Sequence, residues 1–128
     1  MEPSARAIEL LTGPNGGVLR ATLAPSERVT HAVRAIGCTL ALTTHRLLVI
    51  RDGWAFRPKT GIRDWPLDAA LDVRSGLGQH GTGSLAIRQG RDATSVFVPT
   101  EEWAAALQLI GALRNRIRRR EEDRQRGT

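Results

Sequence analysis

The apolar positions change period along the chain, and each change predicts an element. Near the start, Ala5, Ile8 and Leu11 recur at three-residue spacing, which sets them on one helical face. Ser4 stands at an N-cap position and Gly13-Pro14 at a stop, so a short helix is predicted over residues 4–12. Pro14-Asn15-Gly16-Gly17 reads as a turn or linker. Residues 18–24 read as a second short helix ending before Pro25.

From Val29 onward the texture is that of short strands. Val29–Ile36 is rich in β-branched residues, Gly37 breaks it, and Thr39–Thr43 resumes. Thr44-His45 connects tightly to Arg46–Arg51, whose centre Leu47-Leu48-Val49-Ile50 has no polar face. A strand covered on both sides reads that way. Asp52-Gly53 is a hairpin signal, and Trp54-Ala55-Phe56 begins a further strand or the edge of a loop. Arg57–Gly61 is turn chemistry. Ile62–Leu67 and Ala69–Arg74 are strand candidates, with Pro66 confining the first to an edge or bend. Ser75–Gly83 is expected to be a nine-residue glycine-rich loop. Ser84–Gln89 turns Leu85 and Ile87 inward, Gly90-Arg91-Asp92 reverses the chain, and Thr94–Val98 is a last strand ended by Pro99.

The final helix is the clearest element. Thr100 is its expected N-cap, and Glu101 and Glu102 suit the positive end of the dipole. Trp103, Ala106, Leu107, Ile110, Leu113 and Ile117 form an apolar stripe, and arginines crowd the last turns. The helix is expected to run from about residue 100 to 120. Three segments follow: a helical N-terminal extension at 1–25, a domain at 26–120 and a charged tail at 121–128.

The length of 128 residues suits one domain. The longest apolar run, Trp103–Leu107, is far shorter than the roughly 20 residues of a membrane-spanning helix. The start shows no basic segment followed by an apolar stretch, and the single cysteine, Cys38, excludes an internal disulfide. A cytoplasmic location is expected, with peripheral membrane attachment as the alternative. The net charge of +6 is unevenly placed: residues 114–128 hold seven arginines against three acids, whereas the rest is nearly balanced. All basic residues but Lys59 are arginine.

Candidate chemistry is sparse. Gly76-Leu77-Gly78-Gln79-His80-Gly81 spells G-x-G-x-x-G. A dinucleotide cradle needs a strand before it, a helix after it and an acid about 20 residues on. Here a strand pattern follows and position 96 is Val, so a hairpin loop is the better reading. His31, His45 and His80 lack metal-ligand spacing. Cys38 sits among apolar neighbours and reads as a small buried hydrophobe. Asp68 and Asp72 read as turn or strand-surface charges. No enzyme activity, cofactor or metal is expected. Arg51, Arg57, Lys59 and Arg63, beside Trp54 and Phe56, form a candidate cationic lip with an apolar tip; the plainer reading is a solvated hairpin balanced by Asp52 and Asp64. Arg114, Arg118, Arg119 and Arg120 are a candidate anion grip; the plainer reading is complementation of the helix dipole.

The order of elements, with Leu40-Ala41-Leu42-Thr43-Thr44-His45-Arg46-Leu47-Leu48-Val49-Ile50 and Ile62-Arg63-Asp64-Trp65-Pro66-Leu67, resembles the bacterial pleckstrin-homology-like superfamily, including GRAM-type domains. Trp103 near the start of the closing helix is also similar. The resemblance covers roughly residues 26–118. It implies an α+β fold: an antiparallel curved sheet or partly open barrel of about seven strands, closed by one C-terminal amphipathic helix and preceded by a short helical extension. Trp103, Leu107 and Ile110 would plug the open end, each contributing about 1.5–3 kcal/mol if fully buried. It also implies a binding role. Phosphoinositide-binding members carry Lys and Arg around the first strand connection, whereas Ile36-Gly37-Cys38-Thr39 is uncharged, with Arg34 nearby. The expected function is a non-catalytic adaptor for a protein partner. The alternative is electrostatic attachment to anionic lipid or nucleic acid, and self-association is a further expectation.

Overall fold

The double-sided apolar centre of the third strand is explained by what covers it. In the computed structural model, which describes residues 3–13, 16–53, 61–77 and 82–127, two helices come first: α1 (Ala5–Thr12) and α2 (Gly16–Thr22). Strands β1 (Val29–Ala35), β2 (Cys38–Thr43), β3 (Arg46–Arg51) and β4 (Ile62–Pro66) follow and form one antiparallel sheet in chain order. Strands β5 (Leu71–Leu77), β6 (Gly83–Gln89) and β7 (Asp92–Val98) form a second antiparallel sheet in chain order. A 3₁₀ turn, Thr100–Glu102, leads into α3 (Trp103–Arg126).

Leu47 and Val49 face the core enclosed by the two sheets and α3, together with Leu40, Leu42, Trp65, Leu85 and Ile87. Leu48 and Ile50 face outward, where Ala7, Leu19 and the half-buried Leu10, Leu11 and Val18 cover them. The N-terminal helices are therefore a layer on the back of the first sheet. The barrel is partly open. The sheets meet where the Ile36 N–H donates to the Phe97 carbonyl at 2.8 Å and where Arg63 of β4 donates to Thr94 and Asp92 of β7.

Local chemistry accounts for the turns. Ser4 caps α1 by accepting from the Ala7 N–H at 3.1 Å. Gly37, at φ 75°, supplies the left-handed residue of the two-residue turn between Ala35 and Cys38, a register pair. The register of β1 shifts between Val29 and His31, leaving Thr30 as the extra residue of a bulge. That residue is buried, and three elements meet on it. Its carbonyl accepts from the Ser4 N–H at 2.8 Å. Its hydroxyl donates to the Leu42 carbonyl at 3.2 Å and accepts from Arg116 of α3 at 3.0 Å.

Four expectations need correction. The expected loop at 75–83 is shorter, because β5 continues through Leu77 and β6 begins at Gly83; the two pair in register down to that point. Thr100 does not cap α3: it opens the 3₁₀ turn, and α3 starts without a side-chain cap. The helix runs on to Arg126, through the segment read as a tail, because 121–126 contains neither glycine nor proline. The plug is also shifted. Ile110 is buried as expected, but Leu107 is 47% exposed, while Ala106, Leu109 and Leu113 are buried. At about 100° per residue, Ala106, Leu109, Ile110 and Leu113 span an arc of roughly 100° and Leu107 lies outside it. Trp103 is half-buried and packs against the core. Its ring lies on Gly83, where a Cβ would come within 2.1 Å of the indole.

Candidate interaction surfaces

Arginines expected to face a ligand are largely held by the fold. Arg63 lies 5.2 Å from the centroid of the buried Trp65 ring and pairs with Asp92. That hydrogen bond, foremost, holds the Asp92 carboxyl below its usual range. Arg51 ends β3, where its N–H donates to the Gly61 carbonyl at 2.7 Å. Arg57 and Lys59, with Trp54 and Phe56, lie outside the described residues. Nearby, Arg34 donates to both oxygens of Asp52, at 2.8 Å to Oδ1. Asp64, expected to balance the lip, instead accepts from Arg46 at 3.1 Å. Of these cations, Arg34, Arg46 and Arg63 each meet a carboxylate.

The closing helix repeats the theme with backbone acceptors. Arg114 donates to the Val73 carbonyl at 3.0 Å, on β5 at the margin of its sheet. Arg116 donates to the Thr43 carbonyl. Arg120 donates to the Thr44 carbonyl at 2.9 Å and the Leu67 carbonyl at 3.4 Å. Three arginines therefore tie α3 to β5 and to the C-terminal ends of β2 and β4. Arg118 and Arg119 are exposed, Arg118 donating to Asn115 at 2.7 Å. Burial, then the neighbouring Arg120 charge, lowers the Arg116 pKa from its ordinary value. The His31 imidazole is likewise pushed down by burial and then by the Arg116 charge.

Two buried acids fix the N-terminal helices. Glu27 accepts from Arg46 at 2.9 and 3.0 Å, from the Thr43 hydroxyl and from the Ala24 N–H at 3.0 Å. Burial alone would raise its pKa; these donors outweigh it and hold the group down to about 2. Glu102, expected to serve the helix dipole, is buried and accepts from Arg6 of α1. Neither acid had a partner that sequence spacing could show.

Among the described residues no three His, Cys, Asp or Glu are placed to hold a metal. His45 lies in the β2–β3 turn, and His80 falls outside the described residues with Gly78, Gln79 and Gly81. Gly76 and Leu77 end a strand, and another strand begins at Gly83, so no helix opens where a dinucleotide would need one. Cys38 is buried in the core, which raises its thiol pKa. Asp72 pairs with Arg74 at 2.9 Å and Asp68 caps a turn by accepting from the Ala70 N–H.

Two further surface features lie among the described residues. Ile36 and Phe97 are 61% and 54% exposed and are neighbours through their backbone bond. The outer side of α3 carries two shallow clefts. One, of about 530 Å³, is lined by residues including Arg6, Glu9, Glu101, Glu102 and Gln108. The other, of about 470 Å³, is lined by Gly111, Arg114, Asn115 and Arg118. Pattern reading missed the Ile36–Phe97 pair because the two lie 61 residues apart in the sequence and only tertiary pairing unites them.

No described helix is long and apolar enough to cross a membrane. No family model and no curated protein matches the chain. Among solved structures, it is similar to a pleckstrin homology domain from Shewanella amazonensis SB2B, at 14% identity, with a TM-score of 0.55 over 82% of this chain and 96% of that one. Two antiparallel sheets of four and three strands, closed by one C-terminal helix, match that likeness: the chain has a pleckstrin-homology-like fold.

Proposed function

We propose that this protein is a non-catalytic binding module that contacts a protein partner at the junction of its two sheets. The observation that carries the reading is the exposed pair Ile36 and Phe97, held side by side by the 2.8 Å backbone bond. Large apolar side chains left in water at a defined junction suit a protein contact. The reading is supported by the occupation of Arg34, Arg63, Arg114 and Arg120 by acceptors of the protein itself, since an anion would have to displace these contacts. A pleckstrin-homology-like fold also favours binding over catalysis, although folds host many functions.

The test is affinity capture with the full chain, its Phe97→Asp variant and the Arg118→Glu/Arg119→Glu variant, after circular dichroism confirms folding. Expected is a protein held by the wild type and by the double variant but lost with Phe97→Asp, and rebinding when both are purified. Pelleting with anionic vesicles, or retention on duplex DNA, that disappears in the Arg118→Glu/Arg119→Glu variant would overturn the reading in favour of electrostatic attachment.

A further inference from the structure

The outward side of α3 has acidic groups at its start, a basic group at Arg118 and a gap between them. Ala104, Gln108 and Gly111 are exposed there, with Leu107 beside them. A glycine within a 24-residue helix costs about 0.8–1.0 kcal/mol relative to alanine. Nothing inside the molecule requires it, since a Cβ at Gly111 would meet no atom within 4 Å. Its effect is a notch beside Arg114, Asn115 and Arg118. Towards the start of the same helix, the other cleft gathers Glu9, Glu101 and Glu102 around the single guanidinium of Arg6. The first cleft is thus net basic and the second net acidic.

We infer that this face docks a second copy of the chain, with the two α3 helices antiparallel about a two-fold axis passing between Gln108 and Gly111. An isologous contact requires a surface complementary to itself, and this one is. With the axis at that point, Leu107 of each copy enters the Gly111 notch of the other. Glu101 of each then falls opposite Arg118 of the other. These positions are 17 residues apart in the sequence, about 25 Å along a helix, so one acid–base contact closes each end. A parallel arrangement would set like charges together, at a cost. The absence of a side chain at Gly111 lets the axes approach to the short end of the usual 8–10 Å range. One helix face buries an area at the low end for specific interfaces, so the dimer forms in a concentration-dependent way. The inference does not rest on the partner reading above, which uses another surface.

Sedimentation velocity on the full chain, from low micromolar to sub-millimolar concentration, tests it. Expected is a reversible monomer–dimer equilibrium that Phe97→Asp leaves unchanged. Gly111→Leu, which meets no internal obstacle, is expected to melt no lower than the wild type yet to remain monomeric. Glu101→Arg and Arg118→Glu are each expected to weaken the dimer by about tenfold or more, since each substitution enters the interface twice. The combined Glu101→Arg/Arg118→Glu variant should regain dimerisation to within a few-fold of wild type. A wild type monomeric throughout, a dimer indifferent to Gly111→Leu, or a combined variant no better than the single ones would each overturn the inference.

Discussion

Glu27 offers the sharpest test of what holds the N-terminal layer to the sheet. Its side chain is 1% exposed, and its carboxylate is met by Arg46, itself only 24% exposed, by the Thr43 hydroxyl and by the Ala24 N–H. The folded pKa of about 2 lies below the ordinary 4.5. At about 1.4 kcal/mol per pKa unit, that difference corresponds to roughly 3 kcal/mol of stability. Because the folded value is the lower one, the contribution is fully present above pH 4.5 and disappears as the pH falls towards 2. Glu27→Gln keeps the shape but removes the charge, leaving Arg46 with Asp64 and the Thr22 carbonyl. Urea denaturation at pH 7 should show a loss of about 2–4 kcal/mol with an unchanged m value. For a domain whose total stability is on the order of 5–15 kcal/mol, that loss is large. Repeated between pH 5 and pH 2.5, the wild-type stability should fall steeply while that of the variant changes less, so the two curves converge. A variant within about 0.5 kcal/mol of wild type, or two parallel curves, would refute the assignment of this carboxylate as the tether.

Three further outcomes follow from the same packing. Gly83→Val should push the Trp103 ring off β6, because a Cβ there lies 2.1 Å from the indole; iodide quenching of tryptophan emission should rise, and unchanged quenching would contradict the placement. Leu109→Ala should cost about 2–5 kcal/mol by opening a core cavity, whereas Leu107→Ala should cost under about 1 kcal/mol; equal costs in thermal denaturation would contradict the observed helix facing. The folded His31 pKa is depressed below its ordinary 6.5, so its contribution is present above about pH 6.5 and is lost as the pH falls below that value. His31→Gln should therefore lessen the drop in stability between pH 7 and pH 5.5, measured by urea denaturation, and an unaltered slope would count against the buried placement.

Much of the fold was legible because it rests on local signals. Ser4 as a cap, Gly37 and Gly90 in two-residue turns and the all-apolar centre of β3 are chemical statements about a few adjacent residues. The fold predicted from that order is the one observed. The facing of the closing helix was harder to read, because Leu107 and Leu109 are equally apolar and only the strands packed beneath α3 decide between them. The end of the loop before Gly83 was also misjudged: glycines there suggest a loop, yet Gly83 sits within a strand to make room for Trp103. The partners of Arg46, Arg63 and Arg116 lie 19, 29 and 73 residues away, beyond any spacing rule.

Those distant partners also change what the charge of the chain means. Basic residues in a terminal helix suggest an electrostatic footprint, and a count cannot distinguish that from a structural role. Here the arginines of α3 donate to backbone carbonyls of the strands and turns beside it. Arginine suits the task better than lysine. Its long stem packs along apolar surface, while the planar fork reaches two acceptors from one side chain, as Arg120 does with Thr44 and Leu67 and Arg116 does with Thr43 and Thr30. The apolar face of Ala106, Leu109, Ile110 and Leu113 supplies the burial, and the arginines fix where along the barrel that face settles. The same helix then divides its two sides between different tasks. Its inner side is defined by contacts that leave little room for substitution, whereas its outer side, with an exposed leucine and an unforced glycine, carries features that folding alone does not require.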